Sequence, residues 1–366
     1  EVGIVLDEED RIDLNPPRSF PGKLTAALFE RARAFDFEPL RGLVVLPCEL
    51  VERNGDTLRD IVLDLASRWG LGRDFTSWVA EANTFCNTLV DRIVPGTPGG
   101  ADALQLESRL GYHDALLTVA EPYRLWAIEG DDAFARRFPL TGVDPGLVVT
   151  DNIEPFRDRK VRILNGTHTA MVPAAILAGL KTVSEAIQDP EFNRFIENVA
   201  IREIVPTLTS DPAAALRFGR DVLERFANPF IRHNLIDITF QQTSKLRVRV
   251  LPTLTAYTAR FGSLPKSIVL GLAAFILYHH QSRGRDAIQV PKDDAAEMWE
   301  RLWEGRSASD AEDVRAVVEA FAGAEAIWGL RLDSISGLVE ALVADILAVQ
   351  TLGIRAAVEH RSIAED

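Results

Sequence analysis

Residues 147–180 read LVVTDNIEPFRDRKVRILNGTHTAMVPAAILAGL, and within them the texture of the chain changes. Leu147 to Thr150 is a short β-branched run closed by Asp151-Asn152, the pattern of a strand. From about Pro155 onward apolar residues recur at helical spacing, and strand-like alternation nearly disappears. Working back, predicted helices over 24–35, 56–69 and 74–85 alternate with predicted strands over 43–47, 89–94 and 124–128. Working forward, predicted helices cover 167–180, 183–188, 190–203, 212–226, 240–261, 267–281, 292–303, 309–322 and 334–350. Asp189-Pro190 and Asp211-Pro212 each place Asp at an N-cap and Pro at the first helical position. The expected fold class is therefore α/β over residues 1–155 and all-α over 156–366, and no fixed-period repeat supports a solenoid. The opening EVGIVLDEED has no Met and is neither a signal nor a transit peptide, so it reads as a chain entered part-way through a domain. The charged tail RSIAED reads as loose.

With 366 residues, 47% apolar and 26% charged, the chain has the composition of a globular protein of about two domains. Forty Lys and Arg against 54 Asp and Glu give a net charge of −14, a poor basis for sequence-independent nucleic-acid binding, which depends on neutralising phosphates. A local basic pocket for a small anion stays open. Only Cys48 and Cys86 occur, which points to a reducing, cytoplasmic compartment. The six histidines show no zinc-ligand spacing, so no metal is expected. The longest apolar run, Ser267 to Tyr278, is shorter than the roughly 20 residues a bilayer needs and reads as a buried helix. No sequence feature speaks to oligomeric state.

Strands followed by helices suit a dehydrogenase, which needs a phosphate-binding glycine loop. Gly70-Leu71-Gly72 is the nearest fit, but it follows a helix and has Phe75 where a third glycine belongs, so it reads as a helix end. More informative is Lys160-Val-Arg-Ile-Leu-Asn165-Gly166-Thr167-His168, where strands give way to helices. Asn165-Gly166 reads as a turn, with Asn165 at the entrance of the next helix and His168 in its first turn, three residues on. These types suit carbonyl reduction: a buried lysine exchanges the hydroxyl proton, an amide donates to the developing oxyanion, and a histidine orients the substrate oxygen. The bland reading gives Asn165 a capping job, His168 a core hydrogen bond and Lys160 a solvated place.

Read with Cys48-Glu49-Leu50-x3-Asn54-Gly55, Cys86-Asn-Thr-Leu-Val-Asp91-Arg92-Ile93-Val94, Gly111-Tyr112-His113-Asp114 and Arg225-Phe226-x-Asn228-Pro229, this segment resembles the polyol-specific long-chain dehydrogenase family, which includes mannitol dehydrogenase. Pro47-Cys48-Glu49-Leu50 resembles its tagaturonate-reducing branch. The resemblance implies a Rossmann-type cofactor domain, represented here by its C-terminal portion with the glycine loop upstream of Glu1, and a helical substrate domain. It further implies metal-independent, NAD(H)-dependent reduction of tagaturonate to altronate, with Lys160 as acid/base, Asn165 as oxyanion donor and His168 orienting the substrate. Lys245 matches a pocket lysine, or is a helix-surface cation. Asn54 matches an asparagine beside the nicotinamide, or simply forms a turn; Asp91 and Arg92 position substrate or cofactor, or form an ion pair. His113, Asp114 and His233 read as structural, and His279-His280 as cations suited to a helix C-terminus. Arg162, Arg232, Lys245 and Arg247 are candidates for a substrate carboxylate. Mannitol-type members carry an arginine where this chain has Asp237. Fructuronate reduction, hexitol oxidation and, in another class, a non-catalytic helical binding protein are the alternatives.

Overall fold

The computed structural model describes residues 3–94, 96–231, 233–281, 291, 293 and 295–363. They form two compact units, Glu1–Ile93 with Glu121–Arg157, and Val94–Ala120 with Asp158–Asp366. The expected boundary kept 1–155 together, whereas residues 94–120 group with the second unit. Their helix, Gly100–Leu110, buries no side chain, so apolar patterning does not reveal its allegiance.

In the first unit, helices Phe20–Ala34, Asn54–Arg68 and Arg73–Ala82 meet around buried Leu28, Leu58, Val62, Phe75 and Val79. Gly70 takes φ +66 and its N–H bonds the Ser67 carbonyl, while Leu71 bonds that of Ala66. Glycine there terminates a helix, and Phe75 belongs to the core. The predicted helix over 74–85 ends earlier, at Ala82. Asn83 turns extended, accepting from Leu43 N–H at 2.9 Å and donating to the Trp78 carbonyl at 2.9 Å. That clamp frees β2 (Thr84–Phe85) to pair in parallel with β1 (Val44–Val45). A second sheet has the order β3 (Thr88–Asp91), β4 (Leu125–Glu129), β5 (Leu147–Thr150), antiparallel then parallel.

The second unit is built on Lys266–Gln281, in which every residue from Ser267 to His279 is buried. Burial on all sides accounts for its apolar run. It crosses helix Gly166–Leu177 at Gly271, where a Cβ would lie 2.6 Å from the Ala170 carbonyl oxygen. Its first turn is capped by Glu203, whose carboxylate accepts from the N–H groups of Ser267 and Ile268 at 2.6 and 2.8 Å. Asp189 and Asp211 cap their helices as the Asp-Pro pairs predict. The predicted helix over 240–261 is two, Gln242–Arg249 and Leu251–Phe261, broken where Pro252 has no N–H to continue the ladder. The predicted 190–203 helix changes at Asn198 to a π-helical turn, Asn198–Ile204. The start of the predicted 292–303 helix lies partly outside the described residues; Ala296–Leu302 is helical. A further helix, Ile354–Ile363, takes in the first three residues of the tail expected to be loose, and the last three lie outside the described residues. Among the described residues no helix is long and apolar enough to cross a membrane.

Candidate active site

Lys160, Asn165 and His168 lie on one continuous rod, a π-helical turn Arg159–Asn165 that runs into helix Gly166–Leu177. The turn expected at Asn165-Gly166 is absent, since the two residues have φ/ψ of −73°/−34° and −65°/−45°. Glycine is needed at 166 for a different reason: a Cβ would lie 2.9 Å from the Arg249 carbonyl oxygen, so helix Gln242–Arg249 packs against bare backbone. The Gly166 N–H is shared between the Ile163 carbonyl three residues back and the Val161 carbonyl five residues back. In that register residues five apart stand above one another, whereas an α-helix would set them about 140° apart. The π turn therefore brings Lys160 and Asn165 to one side of the rod, with His168 three residues further. Lys160 is buried and Asn165 half-buried; the solvated place in the bland reading does not hold for Lys160.

The His168 imidazole stacks on Phe226 with centroids 4.1 Å apart and planes 17° from parallel, and meets the edge of His233 at 5.0 Å. Burial, then the charges of His233, Arg249, Arg225 and Lys245, hold its pKa well below the ordinary 6.5, so the ring is neutral. Its Nε2 is buried with no hydrogen-bond partner among the described residues. A buried nitrogen of this kind costs free energy unless something meets it. His233 is likewise held down by burial, against the opposing pull of Asp237.

Helix Gln242–Arg249 is fixed to the rod at both ends. Pro173 lies inside helix Gly166–Leu177 and has no N–H for the Thr169 carbonyl four residues back. Gln242 Nε2 donates to that carbonyl instead, at 3.2 Å. At the other end Gly166 admits the Arg249 backbone. Between these pins stands Lys245, half-buried, its Nζ donating to the Ile238 carbonyl at 2.9 Å. Desolvation first, then repulsion from Arg249, push its pKa from 10.5 to about 8, with Asp293 opposing. It is thus more enclosed than a helix-surface cation.

The other candidates separate cleanly. Arg162 is largely enclosed, with Nε donating to Thr253 Oγ1 at 2.8 Å and Nη2 to Thr207 Oγ1 at 2.7 Å. Arg247 is exposed, and Arg232 lies outside the described residues. In the first unit Asn54 is buried, its Nδ2 within 3.1 Å of the carbonyls of Pro47, Glu49 and Thr88, and its Oδ1 accepting from the N–H groups of Gly55 and Thr88. Asp91 is buried at the end of β3, and Arg92 Nε donates to the Glu121 carbonyl at 2.8 Å. His113 is exposed and bonds Glu107 at 2.6 Å, and Asp114 accepts from Leu116 N–H. His279 is no helix-end cation: buried and stacked 4.3 Å from Trp299, it has a pKa lowered to about 4 by desolvation. Sequence reasoning gave no role to Phe226, Arg225 or Arg249; the Arg225-Phe226-x-Asn228-Pro229 motif was the signal for the first two. Cys48 and Cys86 are free thiols, and no group of potential metal ligands occurs among the described residues.

The chain thus combines a mixed α/β unit with a helical unit that carries a buried lysine, an asparagine and a histidine on one rod. The model of the mannitol dehydrogenase Rossmann domain matches residues 5–142, and that of the mannitol dehydrogenase C-terminal domain matches residues 152–350. The chain belongs to the mannitol dehydrogenase family. Altronate oxidoreductase of Bacillus subtilis (strain 168) is 39% identical over 366 residues, covering 99% of this chain and 73% of that relative. Altronate oxidoreductase of Yersinia pestis bv. Antiqua (strain Nepal516) is 40% identical over 360 residues, covering 98% of this chain and 74% of the relative. Among solved structures, Pseudomonas fluorescens mannitol 2-dehydrogenase, a ternary complex with NAD and D-mannitol, aligns with a TM-score of 0.69 at 25% identity, over 94% of this chain and 66% of that one. A D-sorbitol dehydrogenase in substrate-free form aligns with a TM-score of 0.70 at 23% identity, over 94% and 68%, and shares the fold.

Proposed function

We propose that this chain belongs to a protein that interconverts tagaturonate and altronate with NAD(H), without a metal. The chain is an NAD-dependent oxidoreductase acting on CH–OH groups. NAD(H) supplies or accepts the hydride when bound; Gly70 ends one helix and Gly72 precedes the next, and neither belongs to a pyrophosphate loop after a strand. The residues of this chain move the proton and hold the substrate. Lys160 gives the proton to the carbonyl oxygen in reduction and takes it back in oxidation. Asn165 donates its amide to that oxygen as negative charge grows, and His168 orients it through Nε2.

One observation supports an anionic substrate above all. In a chain of net charge −14, the neutral His168 ring sits in the positive field of Arg225, Lys245 and Arg249. Such surroundings draw a ketouronate carboxylate more strongly than an uncharged hexitol. Lys245 has one N–H on a carbonyl and others available to a carboxylate. The altronate oxidoreductase relatives agree with this choice. In the first unit, Asn54 and Arg92 are engaged with backbone, and we assign them, with Asp91, the shaping of their loops. The two free cysteines fit a reducing cytoplasm.

The test is a substrate panel with the full-length protein. Activity on altronate should fall sharply when its carboxylate is replaced by a hydroxymethyl group. Equal activity on both would favour a hexitol dehydrogenase, better activity on the fructuronate couple would favour that sister enzyme, and failure to bind NADH would favour a non-catalytic protein.

A further inference from the structure

We propose that Arg162 is a positioning residue that holds the π-helical turn Arg159–Asn165 in the register that sets Lys160 beside Asn165. The assignment rests on the reading in which those two residues carry the chemistry. Arg162 lies in the middle of the turn, and its guanidinium reaches two other elements: Thr253, on helix Leu251–Phe261, and Thr207, which closes the short 3-10 turn Val205–Thr207. Thr253 is fully buried, and Thr207 is anchored by its own bond to the Ile204 carbonyl at 2.7 Å. Both acceptors are neutral hydroxyls. Burial lowers the guanidinium pKa, with Asp158 opposing from one turn back.

Enclosing a cation against hydroxyls is an expensive way to fill space, and an apolar side chain would do it at lower cost. What an arginine adds is a rigid planar fork that fixes two partners at once. The turn needs such fixing, because the π register is less favourable than the α register that the same seven residues could adopt. Relaxation to the α register would leave Lys160 about 140° around the rod from Asn165. A misplacement of this kind lowers the rate of the chemical step more than it weakens binding, since Arg162 itself touches no substrate in this reading.

The experiment uses Arg162→Met, Arg162→Lys and Thr253→Val in the full-length protein, beside Lys160→Ala, with altronate oxidation as the readout. The expectation is loss of turnover in Lys160→Ala, and a fall of about 10- to 100-fold in kcat for Arg162→Met with KM within about twofold. Arg162→Lys keeps the charge without the fork and recovers only part of the rate, and Thr253→Val shows a smaller loss of kcat at the same KM. A changed rate of amide exchange at Gly166, whose N–H takes part in the π turn and would change acceptor on relaxation, should accompany each loss. If Lys160→Ala is inactive while Arg162→Met keeps wild-type kcat, the positioning role is wrong and the site reading stands. If Lys160→Ala keeps its turnover, the site reading fails and this inference with it. Should Arg162→Met not fold, unchanged kcat and Gly166 exchange in Thr253→Val would overturn the role.

Discussion

In the first unit, Asn54 uses its buried amide entirely on the backbone around it, on the carbonyls of Pro47, Glu49 and Thr88 and the N–H groups of Gly55 and Thr88. The rod in the second unit does the opposite. His168 is also buried, yet its Nε2 meets nothing among the described residues, and burial first, then the neighbouring cations, disfavours a charged ring. Both are polar side chains singled out by the same family resemblance. Bonding separates them: a satisfied buried amide is fold, and an unsatisfied buried imidazole is an invitation to a ligand.

Substitutions on the rod should break activity and spare the fold. Lys160→Ala is expected to lower turnover by about 10²- to 10⁴-fold, the usual worth of a positioned acid/base group. Asn165→Ala should cost about 10²- to 10³-fold, as loss of one oxyanion donor does. Steady-state kinetics with far-UV circular dichroism checks both, and a loss of helical signal matching the loss of rate would remove the distinction drawn here. Asn54→Ala should do the reverse. The Gly55 N–H keeps Asn87 Oδ1 at 3.1 Å, but the buried Thr88 N–H is left without its acceptor at a cost of about 1–3 kcal/mol, so the denaturation midpoint should fall while the remaining folded protein keeps most of its kcat. A variant with unchanged midpoint and lost turnover would return Asn54 to the active site.

Much of this contrast was readable from residue types, and the unreadable part has a physical cause. The change of texture near Pro155 and the caps at Asp189 and Asp211 depend on short-range pattern, and the structure has them at those places. Asn165-Gly166 misled, because Asn-Gly is the strongest local signal for a turn, while here the glycine answers to the Arg249 backbone, 83 residues later in the chain. The π register is equally silent in sequence, since its hydrogen bonds are decided by what holds the turn from outside. Burial of Lys160 and Arg162 follows from tertiary packing alone, and long cations read as solvated by default. The strand Thr84–Phe85 was lost to the helix before it because Asn83 makes its two decisive bonds through its side chain.

A gentler way to sharpen the comparison is to fill His168's surroundings with water. Phe226 covers one face of the imidazole at 4.1 Å, and burial is the leading cause of its lowered pKa. Phe226→Ala should let that pKa rise toward the ordinary 6.5. The variant then gains an acid limb that the wild type lacks, because a protonated ring adds charge to a cationic pocket. Titration of the imidazole C2–H resonance would follow this directly, and an unmoved titration would mean that neighbouring cations, not enclosure, control the ring.

The smallest effect belongs to Lys245. Its pKa of about 8 places the loss of its charge within the range of an ordinary assay. If the ammonium meets the substrate carboxylate, KM for altronate should rise by up to about tenfold as pH passes from 7 to 9, since a charge-assisted hydrogen bond is worth about 1.5–3 kcal/mol and only part of it is lost with the proton. Lys245→Met should begin with the higher KM and show little pH dependence. Stability moves the other way. The group releases its proton near 8 when folded and near 10.5 when unfolded, so between those values the unfolded chain binds more protons and folding becomes more favourable as pH rises. A bound carboxylate reverses that preference by favouring the charged amine. Substrate should therefore raise the lysine's pKa and flatten the stability gain above pH 8, and a gain that persists in saturating altronate would place the carboxylate elsewhere.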